Sequence, residues 1–164
     1  MIKKIVFSFL FASNIFALEP LYVFKTWNVF SSIKDGKDVC YIMSLPVEKR
    51  GNYKQRGEPY LMVIKIRGQK LIEVVVSGGH LNNEKKAGDI TILKRKFPLI
   101  AKKEKAFTVD RNDDEEIVRL LQNEYAKKIF IKNYFTNGFY AIDVYSTVGF
   151  NDAYQKLIEI CVAE

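Results

Sequence analysis

Imidazole chemistry has a single candidate in these 164 residues, His80. A catalytic histidine needs an orienting partner and a nucleophile within reach. No Gly-x-Ser-x-Gly arrangement stands near it, so His80 reads as a turn or strand-end residue. Cysteine is almost as scarce. Cys40 and Cys161 are the only two, and without Cys-x-x-Cys spacing they suggest neither a metal-ligand set nor a redox motif. The one strongly acidic run, Asp110 to Glu116, lacks the alternating oxygen ligands and the glycine of an EF-hand loop. It reads better as a helix start than as the paired carboxylates of a glycoside hydrolase. No metal, no cofactor and no catalytic residue are expected, and the chain reads as a non-enzyme. The charge excess is also small: 26 basic against 19 acidic residues, or +7. That falls short of a nucleic-acid-binding tail, and aromatic interleaving is too thin for single-stranded nucleic acid. Nucleic acid is not an expected partner.

The chain does carry an export signature. Met1-Ile2-Lys3-Lys4 is followed by an apolar run from Ile5 to Ala12 and then by Ile15-Phe16-Ala17. A basic start, a short apolar core and a small residue make a signal peptide, with cleavage expected after Ala17. The run is too short to span a bilayer as a stable helix. Cleavage would leave 147 residues with charge +5, enough for one domain with a sizeable core, residues 18–164. In an exported protein the simplest reading of Cys40 and Cys161 is a disulfide. In the chain-entropy model a loop this long is worth on the order of 4 kcal/mol.

The centre of the chain is the stretch from Pro59 to Gly79, two β-branched runs around a polar break, which predicts a hairpin. A three-residue loop at Gly68, Gln69 and Lys70 pairs Ile66 with Ile72, Ile64 with Val74 and Met62 with Val76. It also places Lys65 opposite Glu73, an opposite-charge pair. Both faces are apolar, so the hairpin is expected inside a sheet with cover on both sides. Leu21 to Phe30 reads as a first strand with Trp27 in the core, and Val39 to Leu45 as a second after an Asp35-Gly36 turn. Pro46 to Glu58 reads as a surface loop. Further strands are expected at Asp89 to Leu93, Ala106 to Val109, Lys128 to Tyr134 and Phe139 to Tyr145, the last two around Asn137-Gly138. Asp113 to Lys127 reads as an amphipathic helix with a capping box at Asp113 and Glu116. Gly149 to Cys161 reads as a second helix, with Phe150, Ala153, Tyr154, Leu157, Ile158 and Cys161 on one stripe.

One basic stretch invites a binding reading. Lys94, Arg95 and Lys96 precede Phe97-Pro98-Leu99-Ile100, and Lys102, Lys103 and Lys105 follow. An acidic protein, an acidic glycan or an envelope lipid headgroup would suit it. The same residues also fit two solvated turns flanking a strand.

The ending Tyr145-Ser146-Thr147-Val148-Gly149-Phe150-Asn151-Asp152-Ala153, running on to Ile158 and Cys161, resembles the close of the invasion-associated locus B family. Trp27, Cys40-Tyr41, the Pro46 loop, the hairpin and Gly78-Gly79 follow the same order. Ala126-Lys127-Lys128 departs from that pattern in lacking a glycine, and His80 stands where an aromatic residue is more usual. The resemblance supports the Cys40–Cys161 bridge. It implies an exported bacterial envelope protein linked to host-cell attachment or invasion, periplasmic, outer-membrane-associated or secreted, with no catalytic residues to carry over. The fold expected is an antiparallel β-sandwich-like domain with two short helices and one disulfide. A periplasmic housekeeping or stress factor with no host contact is the alternative, since both fates begin with the same signal.

Overall fold

The computed structural model describes residues 19–162. The expected signal peptide lies outside the described residues. Eleven strands and two helices follow in the order β1 (Tyr22–Phe24), β2 (Trp27–Lys34), β3 (Lys37–Ser44), β4 (Glu48–Gly51), β5 (Tyr60–Ile66), β6 (Ile72–Ser77), β7 (Gly88–Ile92), β8 (Arg95–Lys102), β9 (Lys105–Thr108), α1 (Arg111–Leu121), β10 (Lys128–Tyr134), β11 (Tyr140–Ser146) and α2 (Phe150–Ile160). All pairings are antiparallel, in one sheet ordered β1-β2-β3-β5-β6-β9-β8-β7-β10-β11-β4.

The sheet curls until its two ends meet. Trp27 Nε1 donates to Ser146 O at 3.0 Å, and Thr26 Oγ1 donates to Val148 O at 2.8 Å. These bonds join the second strand in the order to the tenth. The sandwich-like expectation is thus met by one continuous sheet whose halves face each other across a shared core. Trp27, Ile42, Leu61, Val63, Val74, Val76, Ile90, Ile129, Ile131 and Tyr145 all lie in that core, fully buried. Helix α2 packs on β1, β2 and β3. There Phe150 meets the Trp27 ring edge-on at 4.9 Å between centroids, and Cys161 is bonded to Cys40 with Cα atoms 5.9 Å apart. The bridge therefore staples the closing helix to the third strand.

The central hairpin forms, but in another register. Leu61 pairs with Val76, Val63 with Val74, Ile64 with Glu73 and Lys65 with Ile72. The core decides this. Leu61, Val63, Val74 and Val76 all point inward at 0% exposure, and each such side chain contributes about 1.5–3 kcal/mol on burial. A cross-strand Lys–Glu pair is worth at most about 1 kcal/mol, so it loses. Lys65 Nζ is satisfied instead by Gln69 O at 2.5 Å. The expected place inside the sheet is met. The hairpin sits between β3 and β9, away from the sheet edges. On the face away from Leu61 and Val63, Val75 is buried at 2% exposure, and Met62, Ile64 and Ile66 are half-buried.

Other differences have local causes. The expected first strand is a tight hairpin: Phe24 pairs with Trp27, and Lys25 takes a left-handed conformation with no glycine to announce it. The expected surface loop hides edge strand β4 on β11. Helix α1 starts two residues early, at Arg111, because Asp110 accepts from Asn112 N–H as N-cap. It also stops six residues early. Asn123 Oδ1 accepts from Tyr125 N–H at 2.9 Å, an Asx turn that competes with helix, and Tyr125 is exposed. The Asn137-Gly138 turn forms with Gly138 at φ 80°, which glycine tolerates freely.

Candidate interaction surface

Among the described residues the interior holds one ion pair. The loop after β4 turns back beneath the sheet and is fastened where Gly57 N–H donates to Gly79 O at 2.7 Å. A Cβ on Gly79 (φ 73°) would stand 2.2 Å from Gly57 O, so this crossing requires glycine. The loop then delivers the Arg56 guanidinium to Asp143 on β11. Nη1 meets Oδ2 at 2.7 Å, and Nη2 meets Oδ1 at 2.5 Å. Nη1 also donates to Gly78 O at 3.0 Å and Nη2 to Tyr53 Oη at 3.2 Å. The two side chains are 3% and 0% exposed. Burial works against the Arg56 charge, and Asp143 more than offsets it, raising its pKa. Burial pushes the neighbouring Tyr145 phenol well above its ordinary range, with Asp143 adding to the push.

The other buried carboxylate, Asp114 on α1, accepts from Val74 N–H at 3.0 Å and Thr108 Oγ1 at 2.8 Å. It takes the place of a strand partner where β9 has ended. Both interior carboxylates are therefore engaged in structural bonds. His80 lies against Phe135, ring centroids 5.3 Å apart, at a bend beyond β6.

The basic stretch divides in two. Phe97 to Ile100 is the middle of strand β8, so the two groups of cations stand at opposite ends of that strand, about 23 Å apart at about 3.3 Å per residue. Leu93 and Lys94, both at positive φ, form the two-residue turn into β8. Arg95 forks onto Glu116 of α1 at 2.6 and 2.9 Å. Lys96 meets Asp89 at 3.2 Å. At the far end Lys102 faces Lys105 directly across the β8–β9 hairpin, a like-charge pairing that costs stability. With Lys103, Glu104, Leu81 and Phe107 they border a shallow pocket of about 340 Å³. A larger groove, about 480 Å³, lies where β6 and β9 part, floored by Ile64, Ile72, Ile100 and Phe107 and edged by Glu73 and Asp110.

A second basic surface was not singled out in the sequence. On the outer face of β8, β7, β10, β11 and β4, the register sets Lys96, Thr91, Phe130, Val144 and Glu48 in one row. Pro98, Asp89, Lys132, Ile142 and Arg50 form the next, and Tyr134 with Tyr140 the next. The Lys86 ammonium lies 4.1 Å and the Lys132 ammonium 4.9 Å from the Tyr134 ring centroid, and Lys132 is 5.2 Å from that of Tyr140. Lys132 chiefly, and Lys86 with it, lower the Tyr134 phenol pKa. A signal for this was present. An Asn137-Gly138 hairpin places Tyr134 opposite Tyr140, with Lys132 on the same face.

Comparison with known proteins follows the fold. The structure is similar to the crystal structure of invasion associated protein B from Bartonella henselae, with a TM-score of 0.58 over 85% of this chain and 95% of that one. The two share a fold. Sequence identity is 14%. No protein-family model matches the chain, and no curated protein matches it.

Proposed function

We propose that this chain is an exported bacterial envelope protein that acts by binding, not catalysis, and supports attachment to or entry into host cells. The observation that carries the reading is how its charges are distributed. The buried carboxylates, Asp143 and Asp114, are engaged in structural bonds, whereas basic side chains stand on the surface, with Lys102 and Lys105 set directly against each other. Uncompensated surface cations suit an acidic partner and speed encounter with it. The Cys40–Cys161 bridge fits an oxidising compartment outside the cytoplasm. The likeness to an invasion associated protein supports the host-directed part of the proposal.

The test compares attachment to host cells by bacteria with and without the protein, and by inert beads coated with the purified domain. Loss on deletion and gain on coating are expected. Beads that bind no better than uncoated ones would contradict the reading. Reversing charge at Lys94, Arg95 and Lys96, or at Lys102, Lys103 and Lys105, asks which end of β8 takes part, and attachment unchanged by both would remove the strand-end cations from the contact.

A further inference from the structure

Tyr134 is flanked by two ammonium groups, Lys86 and Lys132. Neither forms an ion pair with a carboxylate among the described residues. Asp89, the carboxylate beside Lys132 in the register, is bonded to Lys96 at 3.2 Å. Two like charges held against one ring repel each other, and an anion between them relieves that repulsion. The ring also holds the lysines in place, so less side-chain entropy is lost when they engage a ligand. The Tyr134 hydroxyl adds a donor at the same point.

The surroundings restrict what the anion belongs to. Arg50, Lys96 and Lys128 add positive charge on three strands of the face, β4, β8 and β10, with Arg50 paired to Glu48 at 2.6 Å and Lys96 to Asp89 at 3.2 Å. Glu48 and Asp89 are interleaved with them. Carboxylates so placed accept hydrogen bonds from sugar hydroxyls, which a DNA backbone lacks. Phe130, 40% exposed, and the half-buried Tyr140 offer apolar surface to the C–H face of a sugar ring. We infer that Lys86, Lys132 and Tyr134 form a subsite for a sulfate or phosphate ester, and that the face around them takes a polyanionic glycan chain. This deepens the binding function proposed above by naming the partner class. It depends on that proposal only for where the partner is met.

The purified mature domain tests it directly. The probe is a size-defined, heparin-derived oligosaccharide, titrated at low and physiological salt, with its chemically desulfated form and a phosphorylated mannan oligosaccharide of matched length in parallel. Salt-sensitive binding of an ester-bearing chain is expected, and the tighter of the two assigns the ester. Lys86→Ala with Lys132→Ala should weaken binding about tenfold or more, two charge-assisted hydrogen bonds being lost. Tyr134→Phe keeps the ring and should weaken it by a smaller factor. Lys34→Ala with Lys37→Ala, both exposed at the β2–β3 turn, removes the same charge elsewhere and should have little effect. Equal losses from the two double variants would overturn the site in favour of bulk charge. So would equal competition by duplex DNA, equal binding of the desulfated chain, or binding of neither ester. The readout does not depend on where the cell displays the protein, so failure of the host-attachment proposal leaves it distinguishable.

Discussion

Removing Asp143 should cost this domain more than removing any exposed acidic residue. Asp143→Ala leaves the Arg56 guanidinium with Gly78 O at 3.0 Å and Tyr53 Oη at 3.2 Å and no counter-ion, inside a site where its side chain is 3% exposed. A buried pair broken on one side costs about 3–5 kcal/mol, mostly as the penalty of an uncompensated charge. At about 2–4 °C per kcal/mol for a chain of this size, the melting temperature should fall by about 6–20 °C. The assay is urea unfolding followed by fluorescence of Trp27, which is fully buried and the only tryptophan. Replacing both partners, Arg56→Met with Asp143→Leu, should recover most of the loss, because apolar groups of similar volume often replace a buried pair at little cost. A single-variant loss below about 1 kcal/mol, the range of an exposed pair, would refute the reasoning. So would a double variant no better than the single.

Three further outcomes are expected. Reducing the Cys40–Cys161 bridge, or Cys161→Ser, should lower stability by about 4 kcal/mol, and thiol labelling of denatured, unreduced mature protein should find no free cysteine; substantial labelling would remove the bridge. Leu61→Ala should cost about 2–5 kcal/mol and Met62→Ala much less, since Leu61 is fully buried and Met62 half-buried, and the reverse order in urea midpoints would put the other face of β5 in the core. Burial raises the Asp114 carboxyl above its ordinary 3.8, with Glu73 and Asp113 adding and the bonds from Thr108 and Val74 opposing. A raised folded-state pKa means that the stability tied to protonation is complete below that ordinary value and is lost as pH rises through the folded one. Asp114→Asn keeps an acceptor for Val74 N–H and escapes that loss. Its stability relative to the parent should therefore rise as pH climbs above about 4, and a deficit that grows with pH would contradict this.

Much of the architecture was legible in the sequence because it rests on periodicity and on turns with their own chemistry. The α2 stripe placed Cys161 on the buried face, and Asn137-Gly138 marked the late hairpin. Features set by tertiary competition were not legible. The register of β5 on β6 turned on which face the whole core required, and a local Lys65–Glu73 pairing pointed the other way. The turns at Lys25-Thr26 and Leu93-Lys94 carry no glycine, proline or asparagine, so two strands were missed or merged. Arg56 sat in a stretch whose glycines and charges described a surface loop. Its burial depends on Asp143, 87 residues away, and no spacing rule links the two. The basic stretch reads as one surface only while its apolar middle has no assigned structure; as strand β8 it holds the two groups apart. The Lys86, Lys132 and Tyr134 cluster was half visible, through the hairpin register, but Lys86 reaches it from a loop.

The measurement that bears most directly on the proposed function is protease accessibility on intact bacterial cells, with a known periplasmic protein as internal control. Cleavage of this protein while the control survives is the predicted result, and it places the binding faces where a host surface can reach them. Survival of both would contradict display outside the cell and would favour a periplasmic factor whose effects on invasion are indirect.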